Sequence, residues 1–464
     1  FTLTAVVLIG LAVPAAAGSI MTWDGRTDVG ALMAEAHQAW NLADQDAVIL
    51  LDEARMTYAE DGRLRQERHR VVWIFTDWAV DNFADLRVPW DSERQKLTVQ
   101  ALRVWRDERW IAARPTAVVE TTPFALRSAP DYTGIRETML LHDGVELPCV
   151  LECDYVIEDT VAPDGWTGWE DGQWIFSQAV PVVESRIVLE APATSALQVK
   201  APPFLRSVSA EEPAACTPTS TLSRSDYATC CYRMRMLDAA SLPMMNDPAW
   251  VSPHVQWSTL SGWEDLGDAI ENVFGDGLEL NAALRDSLTT LVEGAPNGLD
   301  KAGRILGFVH RSTRRINYDP RFFAVRARPV SHVFDTAYGA DLDLARLAAA
   351  LMKEAGVFKV QLAFLGSGHF FNLTGEANVP TLARFGAIGL WIEDDNEAFG
   401  DLSAGVLRTA GTGLTGRALW LPSASKPNYF PEGALPIHEG RPGSACDIAC
   451  ELRWEPEKRG WLGK

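Results

Sequence analysis

"AYGADLDLARLAAALMKEAG", Ala337 to Gly356, reads as a tight turn that opens into a buried helix. The first turn of such a helix suits a reactive side chain. Its unpaired N–H groups and the positive end of the macrodipole lower a thiol pKa and favour thiolate. Asp341 stands at that position, so the same stretch that announces a fold argues against thiol chemistry in it.

Working outward, the helical pattern extends upstream. "LNAALRDSLTTLVEG" (280–294) and "LDKAGRILGFVHRSTRRI" (299–316) carry apolar residues at i, i+3, i+4 and i+7. Downstream, the strands "FKVQLAFL" (358–365) and "FGAIGLWIE" (385–393) lead into the turn "DDNEAFGDLSAG" (394–405). Helices followed by strands that pack on them make an α+β core over 278–425.

The pattern between 45 and 215 is β. "AVILLDEARMTYAEDGRLRQERHRVVWIF" places two strand-like runs on either side of Asp61-Gly62, a strong hairpin signal. Further strands follow in "QKLTVQALRVW", "GVELPCVLECDYVIE" and "ESRIVLEAP", with Asp-Gly turns at 143–144, 164–165 and 171–172. An antiparallel β-sandwich is expected, with many of the chain's 17 Trp filling its core and rim rather than forming a carbohydrate strip. Ahead of it, in 18–44, Asp28 is placed to cap a short lead-in helix. Residues 216–277, together with the Ser/Thr/Pro-rich run just before them, read as a connecting segment.

The order of these pieces resembles the transglutaminase-like superfamily, a papain-like cysteine-protease fold. The series is a helix, "INYDP", "YGAD", the buried helix "LARLAAALMKEAG", a strand, "RFGAIGLWI" and "FGDLSAG". The stretches "WIFSQAVPVVESRIVLEAP" and "VQWSTLSGWEDL", with the first hairpin, resemble the bacterial exported type, which carries a β-rich domain of unknown function, of the 3857 type, before the core. The resemblance covers roughly 45 to 425.

In that family a Cys caps the buried helix, a His on a following strand takes its proton, and an Asp holds the imidazole. Carried onto this sequence, the resemblance matches Tyr338 and Gly339, puts Ala340 at the family's Asp and Asp341 at its Cys, and matches Asp343 to the later Asp. The His position is Ala387, in Phe385-Gly386-Ala387, and the third member is Asp401. One of the three survives. A carboxylate does not replace a thiolate in acyl transfer, because the mixed anhydride it forms needs activation that Ala387 lacks. No cysteine lies between Cys231 and Cys446, so no small shift of register restores one.

The expected function is therefore a non-catalytic, peptide- or protein-binding pseudoenzyme of the cell envelope, with a cell-wall-associated partner among the options. Two alternatives are a hydrolase remodelled around Asp341 and Asp401 with His332 as base, and a structural part of an envelope assembly. If Asp341 is not reactive, its expected role is a helix cap through the N–H groups, with Asp401 left in a turn. His310 is read as a satisfied, partly buried imidazole, and His369 as a loop residue near the cleft.

No cofactor or metal is expected. Cys149 and Cys153 are spaced C-x₃-C without a His partner. On a strand their Cα atoms stand about 13 Å apart, too far for a disulfide with each other. "GSG" at 366–368 and "GTGLTG" at 411–416 lack the strand–turn–helix setting of a phosphate loop. The net charge of −20, with no Lys/Arg run, excludes nucleic-acid binding.

The opening "FTLTAVVLIGLAVPAAAGSI" has an apolar run ending at Pro14 and Ala15-Ala16-Ala17. It reads as a truncated secretory signal (1–17) cut after Ala17, with the product periplasmic or at the cell surface and without a transmembrane span. Seven cysteines in an exported chain permit disulfides. Residues 426–464 are expected to begin a further, truncated C-terminal region.

Overall fold

The computed structural model describes residues 18–22, 25–162, 171–195, 197–200, 227–239, 254–275, 277–318, 328–367, 379–382, 385–394, 396–408, 414, 417–424, 428–429, 452–455 and 460–463. The expected signal, His369, and Cys216, Cys446 and Cys450 lie outside them.

The lead-in segment forms a hairpin, β1 (Ser19–Thr22) with β2 (Gly25–Asp28), and then helix α1 (Val29–Ala39). Asp28 caps that helix as its position predicts, accepting the Gly30 N–H at 2.7 Å. Val29, Leu32 and Ala36 are the buried stripe of α1.

They pack on a seven-stranded sheet built from β3 (Ala47–Tyr58), β4 (Leu64–Ile74), β6 (Gln95–Arg106), β7 (Arg109–Ala112), β10 (Cys149–Asp159), β12 (Val182–Pro192) and β14 (Tyr227–Leu237). The order is β14-β12-β3-β4-β10-β6-β7. The first half of β3 is buried without alternation because both faces are covered. Val48 and Leu50 meet α1, whereas Ala47 and Ile49 join Ala79 of α2 (Asp77–Phe83).

Two smaller sheets complete this half. β5 (Asp85–Asp91), β8 (Val118–Thr121) and β9 (Ile135–Leu141) pack through Val88 and Leu140 on Leu102, Cys153 and Ile157. β11 (Asp171–Ile175), β13 (Gln198–Lys200) and β15 (His254–Ser258) bring Trp174 and Trp257 onto Ala54, Met56, Ile187 and Leu189. Both of those indoles are core, as expected of large rings in a sandwich.

Two features differ from the sequence reading. Among the described residues the sheets of this half are antiparallel except for the pair β3–β12, which is parallel because the chain returns to the far side of β3 after a long excursion. The segment 216–277, read as a connection, supplies the edge strand β14 and the central strand β15. The strand β14 follows directly on a Ser/Thr/Pro-rich stretch whose composition hid it. Its Cys230, Tyr232 and Met234 nonetheless point inward at period two.

The α1 side of the large sheet carries a ladder of alternating charge. Arg233 of β14 pairs Glu184, Glu184 pairs Arg186 of β12, and Arg186 pairs Glu53 of β3. His69 of β4 lies between Glu53 and Glu152 of β10 at 2.9 and 3.0 Å, and Arg103 of β6 closes the row on Glu152. Burial pulls the His69 pKa down, but the two carboxylates outweigh it and raise it to about 9, so the charged ring donates from both nitrogens.

The second half is the α+β core. Helices α3 (Trp263–Gly275), α4 (Ala282–Val292), α5 (Gly298–Ser312) and α6 (Val330–Thr336) precede α7 (Asp341–Glu354). A six-stranded sheet follows, of order β21-β20-β19-β18-β22-β23. Its strands are β18 (Lys359–Ser367), β19 (Phe385–Glu393), β20 (Glu397–Asp401), β21 (Val406–Arg408), β22 (Arg417–Trp420) and β23 (Asn428–Tyr429). Every residue of α7 from Leu342 to Met352 is buried between α5 and α6 on one side and β18 and β19 on the other. Its buried Arg346 donates to the carbonyl of Arg328 at 2.7 Å. Gly356, at φ 74°, turns the chain out of the helix. A last hairpin, β24 (Leu452–Glu455) with β25 (Gly460–Gly463), lies near the end of the chain. No helix among the described residues is long and apolar enough to cross a membrane.

Candidate functional site

The first turn of α7 is set by the chain just before it. Ala337 closes α6 in the left-handed region at φ 56°, and β17 (Tyr338–Gly339) then pairs parallel with β16 (Arg314–Arg315). That pairing brings Arg315 across from Asp341. The guanidinium donates from Nε to Oδ1 and from Nη2 to Oδ2, the latter at 2.7 Å. The Asp341 hydrogen bonds raise the Arg315 pKa against the opposing effect of burial, and Asp401 adds to them.

Asp341 is not the helix cap that the sequence suggested. Ala340 occupies the cap position without a side-chain bond, and Asp341 is the first helical residue. Its carboxylate is held sideways by Arg315 because β16 runs alongside. The negative charge still suits the positive helix end.

Ala387 lies half-buried on β19 and lines the same cavity as Asp341. A methyl group there has no proton to move. Asp401, at the end of β20, accepts from Ser403 N–H at 2.9 Å, Ser403 Oγ at 2.6 Å and Ala404 N–H at 3.2 Å. Its second oxygen takes Arg408 Nε at 2.8 Å. Burial alone would push its pKa up, but the Ser403 and Arg408 bonds hold it below the usual carboxylate range. Each candidate carboxylate therefore has an arginine of its own.

His332 does not lie beside Asp341 as the nine-residue separation hinted. It is exposed on α6, with Nε2 at 3.1 Å from Asp131. His310 is also exposed rather than partly buried, on the outer side of α5. Among the described residues no three His, Cys, Asp or Glu side chains converge as a metal site. Cys149, Cys153 and Cys230 are free, and burial pushes their thiols up, Cys153 to about 12, so none is poised as a nucleophile. Cys231 is disulfide-bonded.

The sequence reading missed a polar network that joins the two halves behind the first turn of α7. A loop of the β-rich half, with short helical turns at Phe124–Leu126 and Pro130–Tyr132, seats Leu126, Ala129 and Tyr132 against Ile316, Tyr338 and Ala340. The Tyr132 hydroxyl donates to Asp343, whose carboxylate also takes the Arg328 N–H at 3.0 Å and Nε at 3.1 Å. Arg328 Nη1 reaches Asp131 at 2.5 Å and its guanidinium lies over the Tyr338 ring at 4.5 Å. Tyr132 and Asp343 are 211 residues apart, so no local pattern could have paired them. Asp343 itself was legible only as a family match.

A mainly apolar cavity of about 100 Å³ is lined by Ile316, Leu342, Phe364, Phe385 and Ala387 together with Arg315, Tyr318 and Asp341. It lies at the start of the buried helix. Neither a cysteine nor a histidine lines it among the described residues.

Comparison with known proteins agrees with this architecture. Residues 60–223 match the family model described as a domain of unknown function with solved structure, DUF3857. No protein of curated function matches the sequence. Among solved structures the chain is similar to a crystal structure from Parabacteroides distasonis described as a "putative protease". The TM-score is 0.65 at 17% identity, over 83% of this chain and 72% of that one. At that identity the likeness is one of fold. Residues 60–223 are thus similar to a DUF3857-type domain, and the α+β core after them resembles a transglutaminase-like, papain-like fold.

Proposed function

We propose that this protein is an exported, non-catalytic member of the transglutaminase-like group, whose cleft holds a peptide or protein partner without turning it over. The observation that carries the reading is the Arg315–Asp341 pair at the start of α7, which lines the same cavity as Ala387. Acyl transfer in this fold requires a thiolate at the helix end and a base to receive its proton. A carboxylate neutralised by a guanidinium supplies no nucleophile, and alanine supplies no base.

A hydrolase built on Asp341 and Asp401 would need two carboxylates whose environments drive their pKa values apart, one kept protonated as the acid. Here each carboxylate is ion-paired to an arginine, and Asp401 is held below the usual carboxylate range rather than raised above it. The open cavity favours a binder over a purely structural part, whose cleft would be filled with side chains. Export rests on the apolar opening segment and its Ala15–Ala17 cleavage signal, and the periplasm or cell surface, with its cell-wall peptides, is the proposed setting.

The test is an amidase, transamidation and peptidase assay on the purified full chain. The expected outcome is release at the uncatalysed rate, unchanged in Asp341→Asn. Turnover above background that disappears in Asp341→Asn would sink the reading. Sequencing the N-terminus of the mature protein checks the export, with cleavage after Ala17 expected.

A further inference from the structure

Helix α7 starts without a cap of its own, because Ala340 at the cap position has no side-chain oxygen. The other half of the chain supplies one. The Tyr132 hydroxyl accepts the Ala340 N–H at 3.4 Å and donates to the carboxylate of Asp343, the third residue of the helix. A capping box joins the same two places directly, the third helical side chain reaching back to the N–H of the cap. Here a tyrosine 208 residues upstream of Ala340 stands between them.

Tyr132 is carried by a loop, residues 122–134, whose two ends are the paired strands β8 and β9. The seat of that loop is also the wall of the cavity. Ile316 and Ala340 pack with Leu126, Ala129 and Tyr132, and the same two residues line the cavity with Arg315, Asp341 and Ala387. The loop holds both short strands that bring this wall together. On β16 Arg314 Nη2 donates to the Ser128 carbonyl at 2.8 Å, and on β17 the Tyr338 hydroxyl donates to Asp131 at 2.5 Å. The chain is tied across them, the Ile316 N–H donating to the Gly339 carbonyl at 2.8 Å.

We infer that this loop is a strap by which the β-rich half sets the shape of the cavity, with Tyr132 as its positioning residue. While the strap is seated, the first turn of α7 is capped and Asp341 is presented to Arg315. When it lifts, the buried Ala340 N–H and the Asp343 carboxylate each lose a partner, which is costly away from water. The turn then frays and the cavity wall loses its backing. The coupling runs both ways: a group that enters the cavity and prefers one form of that turn biases the strap by the same free energy. The inference is independent of whether the cleft binds its ligand or turns it over.

The experiment compares the full chain with its Tyr132→Phe variant, which removes one oxygen and keeps the ring. Two readings are taken under native conditions. One is peptide-resolved hydrogen exchange. The other is the alkylation rate, by peptide-mapped mass spectrometry, of the thiol that Ala387→Cys introduces into the cavity, with and without Tyr132→Phe. Exchange in peptides covering 338–344 is expected to rise about tenfold, the weight of a buried hydrogen bond, while peptides of β3 and α5 keep their wild-type rates. Alkylation of the introduced thiol is expected to rise with it. A merely structural role for Tyr132 predicts a uniform rise in exchange along the chain and no change in alkylation. That result overturns the inference, as does unchanged exchange at 338–344. Should Tyr132→Phe fail to fold, Asp131→Asn keeps the packing of the loop and weakens its hold on Tyr338. The same two readings on that variant then decide, with the same local rise expected and its absence again overturning the inference.

Discussion

Removing the side chain of Arg328 tests whether the buried network behind α7 holds the two halves of the protein together. The Arg328 side chain is 9% exposed and that of Asp343 is 3% exposed. Arg328→Met leaves the Asp343 carboxylate with the Tyr132 hydroxyl and a backbone N–H but no countercharge, and leaves Asp131 with Tyr338 and His332 alone. Breaking a buried pair from one side costs about 3–5 kcal/mol, a large share of the 5–15 kcal/mol by which a domain is stable. Asp343→Leu is expected to cost less, because Arg328 keeps Asp131 and the Tyr338 carbonyl. The double variant is then more stable than Arg328→Met by itself, since no orphaned Asp343 charge remains. The assay is urea unfolding at neutral pH of the wild type, both single variants and the double. A loss below about 1 kcal/mol in Arg328→Met, or strict additivity in the double, would refute the reasoning, because either means the pair carries little coupling.

Three further outcomes are expected. His69, with its pKa raised from 6.5 to about 9, contributes stability that is complete below pH 6.5 and is lost as pH rises through 9. The unfolding free energy of the wild type in urea should fall over that window by up to roughly 3 kcal/mol, while that of His69→Gln stays flat; a parallel fall in both would exclude His69 as the cause. Gly267→Ala places a Cβ 2.0 Å from the carbonyl oxygen of Pro422, a backbone atom that cannot swing aside, so α3 must shift at a cost of about 1–3 kcal/mol. A thermal melt indistinguishable from wild type would contradict that contact. Cys149 and Cys153, buried and with raised pKa, should resist a thiol reagent in the folded protein at pH 8 and react once it is unfolded in urea. Rapid modification of either in the native state would show that the sheet opens there.

What the sequence determines by itself about this protein is what short-range physics writes into it. The cap at Asp28, the Asp61-Gly62 hairpin, the period-two strands and the buried helix from Asp341 each follow from residues a few positions apart. The resemblance that sets Asp341 and Ala387 at the nucleophile and base positions also needs only the sequence, because it depends on which residue stands in each place. Segments whose neighbours are distant were not legible. β14 and β15 take their role from sheets completed elsewhere in the chain.

Tertiary structure alone decided the partners. Whether Asp341 caps its helix or pairs with Arg315 depends on β16 arriving alongside β17. His332 met Asp131, from the other half of the chain, instead of Asp341. Tyr132 found Asp343 across 211 residues, and β20 met β19 along Leu390 to Glu393. Charge pairs, buried hydrogen bonds and sheet edges depend on distances between remote segments, and those distances are set only when the whole chain has packed.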